Sequence, residues 1–166
     1  EQEIGLYKLI LYPLQKVPSY SEYESEFTLE GGQEIFLEGE YAAYRSRPSI
    51  LELSDSTSSM TSPPSVDKTT MNTIGGDTFS SVGDSLTWQF TAEESGLYTI
   101  SMRVRQDFTG GSPVYRRLLI DGETLFTECE SIEFSYQSGF AQFVFGGEQA
   151  PYKIALDQGP HTITLE

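Results

Sequence analysis

The feature that most constrains this chain is a period-two alternation that runs almost unbroken from Leu86 to Arg105. Leu86, Trp88 and Phe90 alternate with Thr87 and Gln89, and Glu93-Glu94-Ser95-Gly96 then supplies a turn. Beyond it Tyr98, Ile100, Met102 and Val104 fall on one face, and Thr99, Ser101, Arg103 and Arg105 on the other. Side chains alternate faces only in an extended strand, so the pattern predicts half-buried antiparallel strands. Tyr115 to Asp121 is a further run, closed by the hairpin pair Asp121-Gly122, with Thr124 to Phe126 as the next short strand. Tyr152, Ile154 and Leu156 alternate before the turn Asp157-Gln158-Gly159-Pro160, and His161 to Glu166 forms a last strand with Ile163 and Leu165 inward. Many short strands punctuated by Gly and Pro predict an all-β, antiparallel β-sandwich.

Two stretches break the pattern. Ser54 to Thr70 is almost entirely Ser, Thr, Pro and Asp and reads as a long surface loop. Ser19 to Phe27, after Pro18, carries Tyr20, Tyr23, Glu24 and Phe27 at helical spacing, which predicts a short linker helix. It follows an expected N-terminal strand, Leu6 to Tyr12. The first residue is Glu1 and no signal peptide follows it, so the chain reads as a piece of something longer.

Charge narrows the partners. Ten Lys and Arg against 25 Asp and Glu give a net charge of −15, which repels phosphate backbones and anionic headgroups. Nucleic acid is therefore excluded as the expected partner. No apolar run approaches the ~20 residues of a spanning helix, so this segment is not expected to insert into a membrane. Ten Tyr and ten Phe supply packing groups that disordered acidic chains lack. A single cysteine, Cys129, excludes an internal disulfide and a cysteine-based zinc site.

Catalytic signatures are missing. The sequence holds no H-E-x-x-H, G-x-S-x-G, G-x-x-x-x-G-K or G-x-G-x-x-G. Cys129 and His161, one of each, would make a nucleophile and base only within hydrogen-bond reach of each other, and Cys129 reads more simply as a small buried hydrophobe. The chain is expected not to be an enzyme. A glycan-active carboxylate pair on loops stands as the remaining catalytic alternative.

Binding chemistry is better represented. In Phe36-Leu37-Glu38-Gly39-Glu40-Tyr41-Ala42 the two carboxylates lie two residues apart, hence on one face of an expected strand. Oxygen ligands brought together in this way suit Ca²⁺, whereas two solvated edge charges are the plainer reading. Arg103 and Arg105 project from the polar strand face and lead into Gln106, Asp107 and Phe108. Planar donors and acceptors beside an aromatic ring suit sugar hydroxyls and the apolar face of a pyranose. The plainer reading is a solvated strand face. Tyr44, Arg45 and Arg47 follow the Glu38–Glu40 stretch and could line the same loop site, while Phe79, Tyr136, Phe140 and Phe145 are further loop aromatics and Trp88 reads as packing.

Five segments in order carry a family resemblance: Phe36 to Ala42 with its E-x-E, Gly83 to Phe90, Ser95 to Ile100, Leu119-Ile120-Asp121-Gly122, and Gly159 to Leu165. Together they resemble the galactose-binding-like jelly-roll sandwich of family 6 and family 35 carbohydrate-binding modules. Asn72 to Gly76, Arg103 to Phe108 and Arg116 to Glu123 are similar to accessory sandwich domains of extracellular solute-binding proteins that feed sugar importers (ABC transporters) of Gram-positive bacteria. There a Pro-Ser-Tyr segment, here Pro18-Ser19-Tyr20, joins one domain to the next. The resemblance implies residues 1–32 as the closing strand of a preceding domain plus linker, and residues 33–166 as the sandwich. It implies a noncatalytic carbohydrate-binding domain, extracellular and associated with the cell surface, that also contacts neighbouring domains of its own chain. It further implies a structural calcium at Glu38 and Glu40, although the sequence ends at Glu166, before the last strand on which the family usually carries an Asp ligand. Sugar contacts in such modules lie on variable loops, so Tyr44, Arg103, Arg105 and Phe108 are chosen here by their chemistry. The alternative is a structural or protein-interaction spacer without a sugar site.

Overall fold

The computed structural model describes residues 16–56, 67 and 70–166. The expected strand Leu6 to Tyr12 lies outside the described residues, as does most of the expected Ser54 to Thr70 loop. The described chain forms helix α1 (Tyr20–Glu24) and strands β1 (Tyr44–Arg45), β2 (Glu52–Asp55), β3 (Met71–Ile74), β4 (Leu86–Ala92), β5 (Gly96–Thr99) and β6 (Ser101–Gln106). There follow β7 (Val114–Arg116), β8 (Leu118–Ile120), β9 (Ile132–Phe134), β10 (Gln137–Val144), β11 (Lys153–Leu156) and β12 (Gly159–Leu165). All pairings are antiparallel, and the fold is an all-β sandwich with one short helix.

One layer is the four-stranded sheet β1-β4-β12-β8. The pairs β5–β11, β6–β10 and β7–β9 supply the opposing layer, and β2–β3 forms a separate ladder. The core lies between the layers. Leu118 and Ile120 of β8 meet Ile154 and Leu156 of β11, Ile132 and Phe134 of β9, and the buried rings of Phe126 and Phe145. Met102 and Val104 of β6, with Ile163 and Leu165 of β12, pack against this cluster, as their alternation requires. Each fully buried side chain of this size contributes roughly 1.5–3 kcal/mol over leaving it in water.

The expected run Tyr115 to Asp121 is two strands. It breaks at Arg117, where the chain passes from β7, paired with β9, to β8, paired with β12. Arg117 exchanges backbone bonds with Glu166 at 2.8 and 2.9 Å. Asp121 and Gly122 both take positive φ, 52° and 83°, the turn geometry that the Asp-Gly pair predicts. The strand expected at Thr124 to Phe126 is absent, because Phe126, 0% exposed, carries the chain into the core and on to a 3₁₀ turn at Thr127–Glu130. Ser54 and Asp55, read from composition as loop, close strand β2 and pair with Asn72 and Met71.

Helix α1 forms where its spacing predicts, although five residues are too few to stand alone. Ser19 caps it. Its side chain accepts the Glu22 N–H, and the Glu22 carboxylate accepts the Ser19 N–H at 2.8 Å. That backbone bond, reinforced by the Lys16 ammonium and the Ser19 hydroxyl, holds the Glu22 carboxyl down to about 2. The helix is also fastened to the sandwich. Thr127 N–H donates to Pro18 O at 2.8 Å, and the Tyr20 and Tyr23 rings lie 5.0 and 5.2 Å from Phe126. Their hydroxyls accept the N–H groups of Lys153 and Ala155, both at 3.0 Å. These are alternate residues on the edge of β11 that β5 leaves open, so the helix covers a strand edge that would otherwise be unpaired.

Candidate functional site

The outer face of β6 and β10 carries the densest convergence of polar and aromatic groups. Met102 and Val104 turn inward, so Ser101, Arg103 and Arg105 turn outward. Gln142 stands directly across from Arg103, and its side-chain amide donates to the Ser101 hydroxyl at 2.9 Å. The register shifts between Gln137 and Ala141; Phe140, on the same face of β10 as Gln142, sets its ring under the Arg105 guanidinium, 5.1 Å from its centroid. Asp55, from β2, accepts a hydrogen bond from the same guanidinium, and Asp107 Oδ2 lies 3.4 Å from Arg105 Nε. Asp107 Oδ1 is inaccessible to solvent and has no hydrogen-bond partner among the described residues. Arg105 is thus held in place by two carboxylates and a ring, its side chain 23% exposed.

Of the residues chosen from sequence, Arg103 and Arg105 lie together on this face, and Phe108 stands exposed in the segment that follows β6. Tyr44 is exposed as well, but on β1, the edge of the four-stranded sheet and a different sheet from β6. Two members of the group escaped the sequence reading. Asp55 was hidden in a polar run, 50 residues from its partner, and no local pattern announces such a contact. Phe140 was read as a loop aromatic although it belongs to strand β10.

Glu38 and Glu40 do not share a strand face. Gly39–Tyr41 is a 3₁₀ turn that packs on β3, with the Trp88 indole N–H donating to Gly39 O at 2.9 Å. Around this tighter turn Glu38 is exposed and Glu40 is 9% exposed. Among the described residues no group of three His, Cys, Asp or Glu side chains is placed to hold a metal ion. Trp88, read as core packing, is half-buried and serves this turn.

Cys129 and His161 are engaged separately. Cys129 is 1% exposed in the core, where burial pushes its thiol up to about 11, far from a reactive thiolate. Both ring nitrogens of His161 face oxygens of Asp121 and Asp157. A further charge pair joins the exposed Arg47 to the buried Asp84. Arg47 donates from Nε and a terminal nitrogen to Asp84 at 2.6 and 2.7 Å, and these bonds hold the Asp84 carboxyl below its ordinary range. Two surface depressions, about 300 and 410 Å³, lie around Tyr115–Arg117 with Glu130, and around Ile132–Glu133 with Tyr152. Neither is lined by the Arg105 group. Among the described residues no helix is long and apolar enough to cross a membrane.

No protein-family model and no curated protein matches the chain. Solved structures similar to it include a cycloisomaltooligosaccharide glucanotransferase from Paenibacillus sp., complexed with cycloisomaltoheptaose, at 21% identity and a TM-score of 0.48 over 78% of this chain. The Podospora anserina GH26-CBM35 β-(1,4)-mannanase aligns over 78% of this chain at 17% identity with a TM-score of 0.49. A ruminal GH26 endo-β-1,4-mannanase aligns over 49% at 17% identity with a TM-score of 0.35. The chain spans 15%, 23% and 14% of the lengths of these three proteins.

Proposed function

We propose that this sandwich is a noncatalytic carbohydrate-binding domain and that the outer face of β6 and β10 is its contact surface. The carrying observation is the Arg105 guanidinium, fixed over the Phe140 ring between Asp55 and Asp107, in one row with Arg103, Gln142 and Ser101. Sugar hydroxyls both donate and accept, and a mixed row of guanidinium, amide, hydroxyl and carboxylate answers both. The neighbouring carboxylates offset the two arginines, so the face suits a neutral glycan better than an anion. The ordered sequence segments that resemble family 6 and family 35 modules support the same reading. The likeness of Asn72 to Gly76, Arg103 to Phe108 and Arg116 to Glu123 to accessory domains of solute-binding proteins supports a position outside the cell, in a sugar-uptake protein. A structural calcium at Glu38 and Glu40 stays a separate part of the proposal, supported by the resemblance of the E-x-E stretch alone.

The spacer reading is favoured by one observation. Phe36, Leu37, Tyr41 and Tyr44 are all exposed within nine residues, Phe36 by 80% and Tyr41 by 74%, which is an apolar surface that a neighbouring domain would cover. Titration of the folded protein against a panel of plant and bacterial polysaccharides separates the two. A saturable hit that Phe140→Ala and Arg105→Lys weaken at least tenfold supports the sugar face. No binding by folded protein gives the domain to the spacer reading, and binding that ignores both substitutions removes this face from the site.

A further inference from the structure

His161, the third residue of β12, lies between the Asp121–Gly122 hairpin, whose Asp121 N–H donates to Thr162 O at 3.0 Å, and the turn that leaves β11 through Asp157. Its Nδ1 lies 2.7 Å from Asp121 Oδ2 and its Nε2 2.8 Å from the Asp157 backbone oxygen. A carbonyl only accepts. The Asp121 carboxylate also only accepts while ionised, and its other oxygen already takes the Thr162 N–H at 2.7 Å. Neutral imidazole carries one N–H and would leave one lone pair facing an oxygen at under 3 Å, whereas imidazolium donates to both. The side chain is 12% exposed, so water does not readily make good the missing donor.

We propose that His161 is a pH-sensitive clasp between the Asp121–Gly122 hairpin and the Asp157 turn, which donates to both while it is protonated and gives up one of the two bonds on alkalinisation. The titratable groups that face the ring are Asp121 from the hairpin and Asp157 from the turn, and β4 contributes the uncharged Phe90 ring at 5.7 Å. Burial works against the charged ring, but the bonds to Asp121 and to the Asp157 carbonyl outweigh it and raise the His161 pKa above the ordinary value of 6.5. Burial likewise opposes ionisation of Asp121, and the bonds from His161 and Thr162 outweigh it, leaving that carboxyl below its ordinary value. The sign follows from the direction. A raised folded pKa contributes stability that is fully present below about pH 6.5 and is lost as the pH rises through the folded midpoint.

The chain holds one histidine, so its ring C–H resonances report the clasp without assignment. They are followed by NMR from acid to pH 9.5 in the wild type and in Asp121→Asn. The wild-type midpoint is expected above 6.5. In Asp121→Asn the amide N–H₂ donates to Nδ1 while its oxygen keeps the Thr162 bond, so the neutral tautomer becomes fully satisfied and the midpoint falls to 6.5 or lower. A wild-type midpoint at or below 6.5, or an unchanged midpoint in Asp121→Asn, overturns the clasp. The wild-type titration stands alone should the variant fail to fold.

Discussion

The Tyr23 hydroxyl offers the cleanest test of how the helix serves the sheet. Tyr23→Phe keeps the ring, and with it the contacts to Phe126 at 5.2 Å and Phe27 at 5.1 Å. It deletes one atom, the acceptor of the part-buried Ala155 N–H. The N–H then points at a ring edge, and stability falls by the cost of a donor left without a partner, about 1–2 kcal/mol. For a domain of this length that is a drop of roughly 2–8 °C in thermal midpoint. Tyr20→Phe is the internal control. Its partner, the Lys153 N–H, lies at an exposed position where water can take over, so the loss is at most about 0.5 kcal/mol. Urea unfolding of both variants, followed by Trp88 fluorescence, measures the difference. A Tyr23→Phe protein as stable as the wild type, or a Tyr20→Phe protein less stable than Tyr23→Phe, would refute the claim that α1 stabilises the β11 edge through its hydroxyls.

Two further outcomes test neighbouring steps. A Cβ added at Gly96 would sit 2.8 Å from Gly31 O and 2.9 Å from Gly32 Cα, backbone atoms of the strap whose Gly31 carbonyl accepts the Leu97 N–H; Gly96→Ala should therefore cost about 1–3 kcal/mol, while Gly139→Ala, with nothing within 4 Å, should leave the urea midpoint in place. Thermal unfolding with and without a calcium chelator tests the calcium expected at Glu38 and Glu40: a clear drop in midpoint on chelation supports a metal shell there, and an unchanged midpoint removes it.

The sequence was most legible where one local rule decides the outcome. Alternation located β4, β6, β11 and β12, the Asp-Gly pair located the hairpin, and the helical spacing of Tyr20, Tyr23 and Glu24 after Pro18 located α1. It failed where a distant partner decides. The E-x-E stretch has strand-like composition, yet Gly39 lets the chain tighten into a turn that the Trp88 indole and β3 then hold. Asp55 looks like loop, yet pairing with Met71 makes it strand and Arg105 makes it part of a charge group. The candidate face was half visible for the same reason. The outward arginines follow from alternation within β6, but the carboxylate and the ring that fix Arg105 arrive from β2 and β10.

That arrangement also decides which substitution can test the sugar face. Replacing Arg105 by Ala would leave the Asp55 and Asp107 carboxylates near one another without the cation they share, and Asp55 is only 10% exposed. Removing a cation that part-buried carboxylates share destabilises in its own right, so lost binding in that variant would not separate contact from collapse. Arg105→Lys keeps the charge and gives up the planar fork, so both carboxylates retain a counter-ion. Phe140→Ala is cleaner still: both ion pairs remain and only the ring is removed. If a glycan rests on this face, Phe140→Ala loses affinity while its unfolding midpoint moves little. If Phe140 serves only to brace Arg105, the midpoint falls and affinity follows the folded fraction.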